Sequence, residues 1–169
     1  MRIHLAAVVV IIFLMAGCAT KASKHSVVSD RKTFTVTRVI DGDTVVLGDD
    51  LVVRLIGVDT PEYHRSKKLL RDAERTKRDV ETIRALGKRA TAFTKQLVDG
   101  KRVKMEYGDS RKGRYGRTLG YLYLQDGTFV NEEIVRQGYG VAYTKYPFKY
   151  SEQFLKAERE ARKAKRGLW

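Results

Sequence analysis

The spacing of apolar residues changes along this chain, and that change restricts its fold more than any other feature. From Lys32 to Ile40, Thr and Arg alternate with Phe, Val and Ile, the two-residue period of a strand with one buried face. Thr44–Leu47 and Leu51–Val58 read as two more strands, separated by the hairpin signal Gly48-Asp49-Asp50. The spacing then becomes three and four residues through Val80, Ile83, Leu86, Ala90, Phe93 and Leu97, the stripe of an amphipathic helix that Asp99-Gly100 stops. Strand patterns return at Lys101–Tyr107 and Leu119–Leu124, on either side of the Gly- and Arg-rich segment Gly108–Arg117, which reads as a loop. A turn at Gln125-Asp126-Gly127-Thr128 leads to a short helix, Val130–Gln137, ended by Gly138. Ser151 can cap a last helix that runs to about Lys165, with Phe154, Leu155, Ala157, Ala161 and Ala164 available to face the core. Five strands with about three helices describe an α+β, mainly β domain, compatible with a five-stranded closed barrel of the OB type.

Length and charge narrow the function. A chain of 169 residues suggests one domain with a real core. The formal charge of +14 favours an anionic partner, either nucleic acid or an anionic membrane surface. The single cysteine, Cys18, excludes a disulfide framework and a cysteine zinc cluster. It ends a leader: Arg2 gives a short positive region, and Leu5 to Met15 is an apolar run too short to span a bilayer. Leu14-Met15-Ala16-Gly17-Cys18 resembles a bacterial lipoprotein signal. That resemblance implies removal of residues 1–17, lipidation of Cys18, and a polar tether over residues 18–32 that holds the domain of residues 33–169 to an envelope membrane, facing the periplasm or the exterior. An ordinary secretory leader is the other reading.

Two features of the domain break local rules. Arg54 stands inside the otherwise apolar Leu51–Val58, and a buried charge is costly unless it is paired or used. Acidic residues gather at strand ends, Asp41 and Asp43 after the first strand and Asp59 and Glu62 after the third. Strand ends on a rigid scaffold are usual places for binding groups, although Asp-Gly is also an ordinary turn former. Five extended residues span about 17 Å, so Arg54 and Asp59 share a site only if the chain bends sharply, and Gly57 offers the place.

Taken together, Val39-Ile40-Asp41-Gly42-Asp43-Thr44, then Arg54-Leu55-Ile56-Gly57-Val58-Asp59-Thr60-Pro61-Glu62, then Tyr115-Gly116-Arg117 resemble the thermonuclease, or staphylococcal-nuclease-like, family. The resemblance continues through Val130-Asn131-Glu132, Val135-Arg136-Gln137-Gly138 and Val141-Ala142-Tyr143, and covers Thr33 to Trp169. It implies a Ca2+-dependent nuclease acting on DNA, with RNA as a further substrate, that leaves 3′-phosphate ends. It assigns Asp43, Asp59 and the Thr60 carbonyl as metal ligands, with Asp41 behind them. Arg54 and Arg117 would hold phosphate oxygens, and Glu62 would activate or orient the attacking water. Tyr115 and Tyr143 would line the nucleotide pocket. A monomer is the default.

The chain departs from compact members of that family in two places. The segment between Glu62 and the main helix, about residues 63–86, is longer and carries eight basic residues against four acidic ones. It reads either as a solvated helical extension or as a wall of the substrate groove whose Lys67, Lys68 and Arg71 contact phosphates. Gly113-Arg114 and Lys145 also replace pocket residues usual in the family. A non-catalytic nucleic-acid-binding module on the same barrel is the alternative to an enzyme, as is an envelope protein whose basic face binds anionic lipid.

Overall fold

The computed structural model describes residues 32–169; Cys18, the leader and nearly all of the tether lie outside the described residues. Strands β1 (Lys32–Asp41), β2 (Thr44–Leu47) and β3 (Leu51–Leu55) form an antiparallel meander. After a two-residue strand β4 (Val58–Asp59) come helices α1 (Lys67–Thr76) and α2 (Val80–Val98), then strands β5 (Arg102–Lys112) and β6 (Thr118–Leu124). Helix α3 (Val130–Arg136), strand β7 (Val141–Ala142) and helix α4 (Ser151–Lys163) complete the domain. The sheet closes in the order β1-β2-β3-β6-β5, with β5 returning to β1. The expected five-stranded barrel is therefore present, with four helices rather than three; β4 pairs with β7 as a separate ribbon.

Alternation explains the core. Val36, Val45, Leu47, Val53, Leu55, Val103, Met105 and Leu122 point inward and are almost wholly buried. A second layer forms where α3 and α4 cover one end, with Ile134, Val135, Phe154 and Ala157 beside the rings of Phe129 and Tyr150. Asn131 of α3 ties this layer to the barrel: its Nδ2 donates to the carbonyls of Ile56 at 2.9 Å and Gly120 at 3.1 Å, and its Oδ1 accepts from Leu122 N–H at 3.0 Å.

Other expectations need correction: Leu155 of α4 and Ala164 at its C-terminal end, for instance, are exposed rather than turned to the core. The segment Gly108–Arg117 is not all loop, because β5 runs to Lys112 and pairs there with Thr118, leaving a turn of residues 113–117. The added stretch is largely exposed, so it lacks the apolar alternation that marks a strand. The strand expected over Leu51–Val58 breaks at Gly57, which adopts φ +76° and bends the chain as anticipated. Ser151 does not cap α4; it is the first helical residue, and Tyr150 stands at the cap position without a side-chain bond. The caps that do form are Ser66 on α1, accepting from Leu69 N–H at 3.2 Å, and Asp79 on α2, accepting from Thr82 N–H at 2.8 Å.

Candidate active site

The site is assembled from two chain reversals that α2 holds together. The first is Asp41-Gly42-Asp43 between β1 and β2, tightened by Asp43 N–H donating to Asp41 Oδ1 at 3.1 Å. The second is the bend at Gly57, which returns the chain so that Asp59 and Thr60 stand beside Asp43. The most buried line of α2 is Ile83, Gly87, Ala90, Thr94 and Val98. On it, Thr94 Oγ1 donates to the buried Gly42 carbonyl at 2.8 Å. Gly87 lies against the second loop: a Cβ there would fall 2.7 Å from the Pro61 carbonyl oxygen and 2.7 Å from the Glu62 carbonyl carbon. Two turns of one helix thus set both loops.

Register brings in the arginine. Thr44 opposes Arg54, and because Val53 and Leu55 fill the barrel, alternation turns Arg54 outward, toward Asp43 and the returning chain. Asp43 is only 5% exposed. Its Oδ1 accepts from Thr44 Oγ1 at 3.0 Å and pairs with Arg54 Nη1 at 2.5 Å. Its Oδ2 accepts from Thr60 N–H at 3.1 Å and from Thr60 Oγ1 at 3.3 Å. Arg54 Nη2 reaches Asp59 Oδ1 at 3.4 Å, so one guanidinium bridges both carboxylates. Lys68 of α1 completes the cluster. Its Nζ donates to the Thr60 carbonyl at 2.7 Å and lies 3.3 Å from Asp59 Oδ1 and 3.5 Å from Asp72 Oδ2.

The charges of this cluster are unequal in kind. Burial opposes ionisation of Asp43, but Arg54, the bond with Asp41, Lys68 and the Thr60 N–H together hold its carboxyl below the usual range. Burial raises Asp59; Lys68 and Arg54 counter this only in part, while Asp43 adds to it. Burial and the neighbouring Asp43 push Asp41 up to about 7. Lys68 stays firmly cationic because Asp59, Asp43, Asp72 and Glu62 outweigh its own burial.

The remaining expected residues stand around this cluster. Glu62 is half-buried at the end of the Gly87-backed loop, and its Oε1 accepts from His64 N–H at 3.2 Å. Arg117 precedes β6; the parallel pairing of Arg54 with Leu119 and two-residue alternation put it on the same outer face as Arg54. It has no ion pair with any described residue. Tyr115 is 78% exposed at the tip of the β5–β6 hairpin. Tyr143 is anchored to the Gly57 bend, its N–H donating to the Gly57 carbonyl at 2.9 Å, and its ring lies 6.1 Å from that of Tyr146, so a second aromatic stands one residue beyond Lys145. A cavity of about 130 Å³ opens behind Asp59 between α1, α2 and Trp169, and neither tyrosine lines it.

The donor set suits a hard cation. Asp43 and Asp59 share one guanidinium, and the Thr60 carbonyl lies within reach of the same ammonium as Asp59. Among the described residues no group of three His, Cys, Asp or Glu side chains is close enough to hold a metal. An ion at this place would rest on two carboxylates and a carbonyl and keep several waters, which calcium tolerates.

Sequence reasoning missed three residues that shape the site. The charge run groups Lys68 with Lys67 and Arg71, yet its ammonium lies among the acids while its two companions are exposed. Its i,i+4 relation to Asp72 was the available signal. Gly87 and Thr94 look like polar interruptions of a helix stripe; a mid-helix glycine was the hint of a close approach.

Known proteins resemble this chain over most of its length. The family model described as "Staphylococcal nuclease homologue" matches residues 52–169. A thermonuclease of Staphylococcus hyicus is 35% identical over 145 residues, covering 83% of this chain and 78% of its own length. A thermonuclease of Staphylococcus intermedius is 35% identical over 167 residues, covering 96% of this chain and 91% of its own. Endonuclease YhcR of Bacillus subtilis is 34% identical over 143 residues, 79% of this chain but 11% of that protein. The match spans most of the barrel, both helices that back the site and Arg54, Asp59, Thr60 and Glu62 within it, and on that ground the chain belongs to the staphylococcal nuclease family.

Proposed function

We propose that this protein is a lipid-anchored, extracytoplasmic, calcium-dependent nuclease that hydrolyses phosphodiester bonds of DNA, and of RNA, to 3′-phosphate ends. The observation that carries the reading is the convergence of Asp43, Arg54, Asp59 and Thr60, from two separate reversals, beside the Glu62 loop. Asp43, Asp59 and the Thr60 carbonyl would hold the calcium, which when bound neutralises phosphate charge and positions a water. Asp41 keeps the Asp43 backbone in place through its own hydrogen bond.

The chain's own residues then divide the work. Glu62 takes a proton from the attacking water as its oxygen bonds to phosphorus. The bond from phosphorus to the 5′ oxygen breaks, the leaving oxygen takes a proton from solvent, and the phosphate stays on the 3′ side. Arg54 is held by Asp43 and Asp59, and this fixes where its guanidinium meets the phosphate. Arg117, on the same face and without an ion pair among the described residues, supplies the second guanidinium as charge builds on the equatorial oxygens. The exposed rings of Tyr115 and Tyr146, with Tyr143 between the bend and Tyr146, offer faces on which bases stack without regard to sequence.

Incubating single- and double-stranded DNA with the purified monomeric protein tests the reading. Cleavage with calcium, none with chelator, and 3′-phosphate termini are expected; DNA binding without cleavage under both conditions would make it a binding module instead. The anchor has its own test: fatty-acid labelling should appear on the wild type and vanish in Cys18→Ser.

A further inference from the structure

Lys68 has the features of a group installed in the site rather than one that drifts against it. Ser66 caps α1 and Leu69, 1% exposed, pins its first turn, so the backbone of Lys68, next to Leu69, is fixed in place. An ammonium has three N–H donors, and three oxygens surround this one: the Thr60 carbonyl at 2.7 Å, Asp59 Oδ1 at 3.3 Å and Asp72 Oδ2 at 3.5 Å. Two of those oxygens belong to the set that the proposed function gives to calcium, and neither can serve both cations fully. The neighbours differ: Lys67 and Arg71 on the same helix are exposed.

We infer that Lys68 is a tethered counter-cation of the active site, which competes with calcium for the Asp59 carboxylate and the Thr60 carbonyl and whose side chain swings away from them when calcium binds. The inference rests on the calcium reading of the site. Its consequence is a built-in threshold. The metal must displace an internal cation whose local concentration is fixed by the fold, so apparent affinity falls by the fraction of molecules in which Lys68 is engaged. Release also frees an ammonium beside the substrate groove, next to the exposed Lys67 and Arg71, where phosphates run.

Two measurements on the full chain test this without relying on turnover. The first is calorimetric calcium titration of wild type, Lys68→Met, Lys68→Gln and the control Lys67→Met, which removes the same charge from an exposed neighbouring position. Calcium should bind about three- to tenfold more tightly to both Lys68 variants, and less than twofold more tightly to the control. The second needs no variant: the rate at which an amine-acetylating reagent modifies Lys68, followed by mass spectrometry, should be low in chelator and rise in calcium to that of Lys67. If wild type and Lys68 variants bind calcium equally and Lys68 stays shielded in calcium, the counter-cation is refuted while the calcium site stands. If no variant binds calcium, both fall. If only the Lys68 variants bind it, the counter-cation stands and holds the site more than about tenfold against calcium.

Discussion

Replacing Gly87 by alanine sets two physical effects against each other. Alanine in a helix interior is favoured over glycine by about 1 kcal/mol. The new Cβ, however, would sit 2.7 Å from the Pro61 carbonyl oxygen and the Glu62 carbonyl carbon and 2.8 Å from the Glu62 carbonyl oxygen. All three are backbone atoms, so no side chain can rotate away. Restoring ordinary contact moves the loop by about 0.7 Å, and overpacking of this kind costs about 1–3 kcal/mol. The net expectation is a loss of about 1 kcal/mol and a fall of about 4 °C in Tm. The functional loss should be larger in proportion, because the displaced atoms carry Glu62: a shift of that size lowers kcat about ten- to a hundredfold. Urea denaturation and calcium-saturated DNA cleavage on the same preparation give both numbers. A variant that is more stable than wild type and fully active would show that propensity alone decides at this position, and would refute the claim that α2 sets the Glu62 loop.

Other changes probe other links. Asn131→Ala takes a partner from the Ile56 carbonyl and the Leu122 N–H, while the Gly120 carbonyl keeps its bond from Ile56 N–H, and should cost about 2–4 kcal/mol in urea denaturation with an unchanged m-value. Asp41→Asn should leave stability unchanged below pH 4 and raise it progressively as pH rises toward about 7, because the folded protein holds a proton on Asp41 that the unfolded chain has already released; Tm in chelator at pH 4 and pH 8 measures the difference. Arg54→Lys removes the fork that spans Asp43 and Asp59, and should lower kcat by about a hundredfold or more while circular dichroism stays that of the wild type.

What could be read from the sequence was whatever obeys a simple period or breaks one visibly. The barrel strands show two-residue alternation because one face fills the core, and Arg54 stood out because it interrupts such a strand. The Gly57 bend followed from geometry, since Arg54 and Asp59 could not otherwise meet. The outer half of β5 was illegible because both of its faces are exposed, so only its ladder with β6 makes it a strand. Gly87 and Thr94 were harder to read for another reason: beyond the hint that a mid-helix glycine carries, they act through a missing side chain and one hydrogen bond, neither of which apolar spacing records. Lys68 lay in a run of charges that resembles a solvated face, where its i,i+4 relation to Asp72 was the one signal, and the docking of Leu69 sets the turn that carries it inward.

The pairing of β3 with β6 is the barrel's parallel seam, and roughly sixty residues separate its two sides, α1 among them. Closing so long a connection is slow, so the β1–β3 meander bearing Asp43 and Arg54 can form early, whereas the seam waits until β6 has emerged. Lengthening the connection costs almost nothing by comparison. The ten residues of α1 add about 0.2 kcal/mol to the closure entropy of the unfolded chain, because that cost grows only with the logarithm of length. The segment that carries α1 can thus be lengthened or shortened at little cost in closure entropy.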